Sequence, residues 1–194
     1  MHKRMSPHGD YDHMGEAINL VENFKVKKVI FNCGVFNDLE QELIKELDKK
    51  KIKNYSCIKK LNIDNNKLYF LQTKEYDNEN DNSNVIYFKY GTFKFLFMGD
   101  AGIEKDILEK YNISDVYVLK VGHHGSITSS TKTFINFIKP KFSIISVGKK
   151  NRFGHPNKEV LNNLKQSKVY RTDEDGSILF KIKNDKLKIK TCSS

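Results

Sequence analysis

The chain has 194 residues, 38% of them hydrophobic and 30% charged, which suits one domain with a sizeable core. No apolar run is long enough to cross a bilayer, and the opening "MHKRMSPHGD" carries no apolar segment of the signal-peptide kind, so neither a spanning helix nor a secretory leader is expected. Lys and Arg outnumber Asp and Glu by 34 to 24, a net charge of +10, which favours polyanionic partners such as nucleic acid or an anionic membrane face; the same dispersed lysines are equally what a Lys-rich surface produces.

In chain order, apolar spacing predicts a helix over 15–24, a strand over 27–32 and a helix over 38–51. Asp38 and Gln41 have the spacing of a capping box at the start of that second helix. Strands are expected at 67–71, 84–90 and 93–98, the last two joined by a tight turn near Gly91. The polar stretch "KEYDNENDNSN" reads as a surface loop. Helices follow at 104–111, 131–138 (stopped by Pro140) and 157–165, alternating with strands at 115–121 and 142–147, and short strands close the chain. This alternation predicts a layered α/β domain with no internal repeat. Cys33, Cys57 and Cys192 are scattered, with no C-x-x-C pair, so they read as buried or idle thiols, with neither a zinc knuckle nor a disulfide framework expected.

Chemistry gathers at the strand ends. "SPHGDYDHMGEA" places His8, Asp10, Asp12 and His13 within six positions; "FLFMGDAG" presents Asp100 between glycines; "VLKVGHHGS" presents His123 and His124; "FGHPN" presents His155; "RTDEDGS" presents Asp173 and Asp175. Loops leaving neighbouring strand ends can aim short side chains into one cleft. Plainer roles compete at several positions. Asp100 can be a helix N-cap, His155 a turn residue before Pro156, and Asp173 with Asp175 the shapers of a turn ahead of Gly176. One of His123 and His124 is expected not to coordinate, because adjacent side chains on an extended segment diverge.

A donor set of imidazoles and carboxylates without thiolate suits zinc, manganese or iron rather than a structural zinc site. A carboxylate such as Asp100 can bridge two cations, and a pair of cations can stabilise both oxygens of a displacement. The chain has no G-x-S-x-G elbow, no cysteine beside a histidine and no P-loop, so a metal-activated water is the expected attacking group.

With these motifs in this order, the chain resembles the metallo-β-lactamase fold hydrolases, and within them the hydrolase domain of ComEC-type DNA-uptake (competence) proteins. The superfamily pattern H-x-H-x-D-H here reads H-G-D-Y-D-H, with Asp10 at the second histidine, a substitution typical of that branch; "FMGDAG", "LKVGHHGS", "GHP", "RTDEDGSI" and "NDNSNVIY" also resemble it. The resemblance implies a four-layer αββα sandwich with a metal cleft along one edge. It implies two divalent ions, Zn2+ or Mn2+, with His8 and Asp10 on one, Asp12 and His13 on the other, Asp100 between them, and His123 or His124 completing the set. Asp12, Asp100 and His155 are the expected catalytic residues, and Ser126, His155 and Asp173 the expected substrate contacts.

Two departures from the family stand out. No histidine lies between Cys33 and Gly99, where the family usually has a further ligand. The motif also begins at residue 8, ahead of which the family runs about two strands, so residues 1–194 read as a single domain lacking its first strands. Those strands are expected either on another polypeptide, such as a membrane channel protein, or on a longer parent protein of which this is a fragment; either would bring this soluble domain to a membrane, and without one it would be cytoplasmic. The expected substrate is DNA or another phosphodiester, cleaved without base specificity. Tyr11, Phe153 and Tyr170 lie beside the motifs and are expected to pack rather than to stack on bases. Two alternatives remain: another hydrolase on this fold (phosphorylcholine esterase, lactonase or thioesterase), or a noncatalytic DNA-binding module.

Overall fold

The computed structural model describes residues 11–71 and 75–192. It begins with two short helices, α1 (Tyr11–Met14) and α2 (Ala17–Asn23), followed by β1 (Lys28–Phe31), α3 (Asp38–Lys49) and β2 (Lys53–Ser56). β1 and β2 pair in parallel with α3 as the crossover, and Val21, Phe31, Leu43 and Leu47 form their buried core. The capping box on α3 sits one residue earlier than Asp38 and Gln41 suggest. Asn37 is extended and accepts from the Glu40 amide at 2.9 Å, while the Glu40 carboxylate accepts from the Asn37 amide at 2.9 Å. Asp38 already lies in the first helical turn, where a side chain cannot cap.

Cys33 and Cys57 form a disulfide, which corrects the expectation of idle thiols. The reason is register. Phe31 pairs with Ser56, so both cysteines leave adjacent ends of one parallel ladder, 4.5 Å apart at Cα. A separation of 24 residues in sequence carries no sign of that adjacency.

The centre of the molecule is a seven-stranded mixed sheet, ordered β3 (Lys60–Ile63), β4 (Asn66–Phe70), β5 (Ile86–Tyr90), β6 (Phe93–Phe97), β7 (Val118–Lys120), β8 (Phe142–Ile145) and β9 (Lys168–Arg171). β3 to β6 are antiparallel neighbours; β6 to β9 are parallel, connected through α4 (Glu104–Lys110), α5 (Lys132–Ile138) and α6 (Lys158–Asn163). Alternation along the strands sorts the core. Leu96, Leu119 and Ile145 face the helices and pack with Ile107, Phe134, Ile138, Val160 and Leu164. Phe93, Phe95, Val118 and Ile144 face the other way, onto Phe180, Ile182 and Leu187 of a hairpin, β10 (Ser177–Lys183) and β11 (Lys186–Cys192). A helical element α7 (Thr172–Asp175) occupies the expected turn at Asp173 and Asp175.

These layers are those of an α/β sandwich built on one large mixed sheet, as expected. The remaining strands form two separate two-stranded ladders rather than a second continuous sheet. No described helix is long and apolar enough to cross a membrane.

Candidate metal centre

The site lies at the carboxyl ends of the parallel strands, where loops from successive βα units converge. Asp100 follows β6 by way of Gly99, whose φ is +58° and whose position leaves no room for a side chain: a Cβ there would stand 2.7 Å from the Ser83 Cβ. The Asp100 amide donates to the Ser83 hydroxyl at 3.2 Å, and the Gly102 amide donates to the Asp81 carboxylate at 2.7 Å. The polar stretch expected to be a plain surface loop therefore anchors the strand end that carries Asp100. Asp100 is not a helix cap: α4 is preceded by Ile103 and has no side-chain cap.

The carboxylate of Asp100 is buried, and three imidazoles converge on its Oδ2: His13 Nε2 at 3.1 Å, His124 Nε2 at 3.6 Å and His123 Nε2 at 3.9 Å. Burial pushes this carboxyl up, but the hydrogen bond to His13 and the charges of His13, His124 and His123 outweigh it and hold Asp100 below the usual carboxylate range. His13 comes from α1, so the first motif meets the second and third in space.

Both adjacent histidines face Asp100. Their side chains do not diverge, because the segment is not extended: His123 and His124 have φ of +45° and +52°. Two consecutive left-handed residues turn both rings to the same side, a costly backbone that its surroundings must hold. Gly125 closes the turn at φ +82°, where a Cβ would lie 2.6 Å from Pro156. His124 Nδ1 is 2.8 Å from the Ser146 carbonyl, and His123 Nδ1 is 3.0 Å from the Thr128 hydroxyl. A carbonyl can only accept, so His124 carries a proton on Nδ1 and presents Nε2 toward Asp100.

One ligand atom each from His13, Asp100 and His124 lies within 4.8 Å of the others. The fit to a divalent cation rests on that donor chemistry. Asp100 Oδ1 is buried and accepts no hydrogen bond from any described residue, and His124 Nε2 faces the same carboxylate at 3.6 Å. A buried carboxylate ringed by imidazole nitrogens is a donor set that a divalent cation can satisfy.

The remaining predicted residues are distributed around this cluster. His8 and Asp10, and the side chain of Asp12, lie outside the described residues. The His155 ring is 6.0 Å from that of His123 and stacks on Phe153 at 5.9 Å; Asn151 clamps its backbone at both the amide and the carbonyl. Burial, together with the His123 and His124 charges, holds His155 below the ordinary histidine range. Phe153 is 63% exposed and so is not a core packing residue. Ser126 is buried and accepts from the Thr128 hydroxyl at 3.1 Å, which makes it a brace for the residue that holds His123. Asp173 is engaged by Arg171 through two hydrogen bonds of 3.0 and 2.6 Å, and the neighbouring Thr172 ties α7 to Val147.

Sequence reasoning missed Lys120. Its amine donates to the Val121 carbonyl at 2.9 Å, and burial lowers its pKa against the opposing pull of Asp100. The signal was a lysine inside the apolar run "VYVLKV".

A strand-end aspartate ringed by histidines at the edge of this sheet is matched by the family comparison. Residues 8–149 fit the model of the metallo-beta-lactamase superfamily, and the chain belongs to that superfamily. Divalent-metal binding goes with this fold, and the His13–Asp100–His124 cluster is where the described residues provide for it. Among curated proteins the chain is similar to ComE operon protein 3 of Bacillus subtilis (strain 168), 32% identical over 186 residues that cover 91% of this chain and 24% of that protein. It is also similar to competence protein ComA of Neisseria gonorrhoeae, 35% identical over 57% of this chain and 17% of that protein. Recombination protein 2 of Haemophilus influenzae is 31% identical over 57% of this chain and 14% of its own length. The chain thus spans about a quarter or less of the length of these relatives.

Proposed function

We propose that this chain is a metal-dependent phosphodiesterase that cleaves DNA during its uptake. The observation that carries the reading is the convergence of three imidazole nitrogens on one buried oxygen of Asp100. A hydrolytic, competence-related role follows from the superfamily and the relatives; DNA as substrate is supported by the relatives' names and by the net charge of +10.

His13, Asp100 and His124 would hold one side of the metal centre, with His8, Asp10, Asp12 and His123 completing it for two ions, Zn2+ or Mn2+. When bound, such ions supply Lewis acidity that brings water toward deprotonation near neutral pH and neutralise charge on the phosphate. The protein's own groups do the rest. Ser146 and Thr128 fix the rings of His124 and His123, so the donors need no reorganisation. Asn151 presents His155 beside His123, where its imidazole can hydrogen-bond a phosphate oxygen or the leaving oxygen. The lysine-rich surface engages backbone charge, so cleavage is nonspecific and weakens with salt. The uptake setting adds a membrane channel protein as partner, to be tested by co-purification.

The test is a substrate panel with the purified chain in Mn2+ or Zn2+: labelled single- and double-stranded DNA, a phosphorylcholine ester, a lactone and a thioester. DNA cleavage that Asp100→Asn abolishes supports the proposal. Turnover of a small ester without DNA cleavage replaces it with another hydrolase of the same fold. DNA binding by a chain that retains no metal on elemental analysis makes it a noncatalytic module.

A further inference from the structure

A second feature lies away from the metal centre, on the helix-side face of the sheet. A cleft of about 800 Å3 runs over β4 and β5 beside the end of α4, and its lining includes Lys59, Lys67, Lys89 and Lys110 together with Tyr69 and Tyr87. No carboxylate of the described residues lines it, and all four lysines are exposed.

The sheet register explains how these residues meet. Tyr69 and Tyr87 are direct cross-strand partners, with ring centroids 6.5 Å apart. Lys67 and Lys89 each stand two residues from a tyrosine, hence on the same face. Lys60 pairs with Tyr69 and extends the positive row to the edge strand, and Lys89 pairs with Lys94. Like charges directly opposite each other destabilise a sheet. Lys94 escapes by reaching the Ser114 carbonyl at 2.8 Å, while no described carboxylate forms an ion pair with Lys59, Lys67, Lys89 or Lys110. Tyr69 is 42% exposed and offers a ring face; Tyr87 is half-buried against the core and braces it.

Exposed cations flanking an available aromatic ring, with no carboxylate among the described lining residues, are complementary to a strand of phosphates with unpaired bases. Duplex DNA hides its base faces and cannot use the ring. We propose that this cleft is a binding site for single-stranded nucleic acid, with Tyr69 stacking on a base and Lys59, Lys67, Lys89 and Lys110 contacting the backbone. Binding here needs no hydrolysis, and its test stands apart from that of the catalytic proposal.

The test is fluorescence anisotropy of the whole chain with a labelled oligothymidylate of about 20 nucleotides, in EDTA so that no cleavage intervenes. The wild type should bind the single strand more tightly than a duplex of equal length. Tyr69→Ala should weaken single-strand binding about tenfold, while Tyr69→Phe, which keeps the ring, should not. Lys67→Gln with Lys89→Gln should weaken it further and flatten the dependence of log Kd on log salt by about 1.4, the loss of two phosphate contacts. All three sets of changes are at exposed side chains, and matching thermal unfolding confirms that each variant is folded. Equal affinity for duplex and single strand, or a Tyr69→Ala variant that binds like the wild type, overturns the proposal.

Discussion

Asp100 and Gly99 depend on each other: the carboxylate reaches three histidines only because the residue before it is left-handed and pressed against Ser83. The Gly99 carbonyl also accepts from the His123 amide at 3.0 Å, so one glycine fixes the relative position of two loops.

Gly99→Ala should therefore act on fold and metal together. A Cβ at φ +58° costs about 1–2 kcal/mol by itself, and here it also meets the Ser83 Cβ at 2.7 Å. Urea unfolding should show a loss of about 2 kcal/mol or more, and calorimetric titration should show weakened Mn2+ binding. Ser83→Gly, which clears the clash, should recover part of the stability.

Asp100→Asn should cut divalent-ion affinity by about 100-fold or more, since it removes the one charged donor among the three clustered ligands. Hydrolysis should fall below detection. DNA affinity measured by anisotropy, driven by lysines elsewhere, should be nearly unchanged. Loss of metal and DNA binding together would show that the residue is needed for folding.

The Cys33–Cys57 bond should be worth about 3 kcal/mol, from the entropy of the loop it closes. Unfolding in urea with and without a reductant measures it directly. Cys57→Ser should match the reduced wild type and lose nothing further on reduction.

Glu104 predicts a pH dependence. It is buried, yet accepts hydrogen bonds from the Ser130 amide, from the Thr131 amide at 2.9 Å and from the Thr131 hydroxyl at 2.7 Å. Burial outweighs these donors and raises its pKa. The folded state thus holds this proton more tightly than the unfolded chain. Its stabilising effect is complete below the unfolded value and is lost as pH rises through the folded one. Glu104→Gln should flatten that decline in a pH series of thermal melts. Glu104→Ala, which strands the donors at Ser130 and Thr131, should cost about 2–3 kcal/mol at low pH.

The strands and helices that pack the main core were legible because their apolar residues alternate or recur at helical spacing, as in "FKFLFM" and "TKTFINFI". β2 ("KNYS") and β3 ("KLNI") were not, since nearly every position in them is polar or exposed and no period survives. β3 adds only Lys60 to the edge of the lysine row, whose other strand members, Lys67 and Lys89, lie on β4 and β5.

By itself the sequence determined the layered α/β class, the metal-ligand chemistry and the order in which the motifs occur, because these depend on residue type and local period. Only the tertiary structure decided that His123 and His124 both turn to Asp100, that Cys33 meets Cys57, and that lysines and tyrosines from separate strands share one cleft. Each of those facts rests on backbone handedness or strand register, which are properties of paired segments and leave no mark in either segment alone.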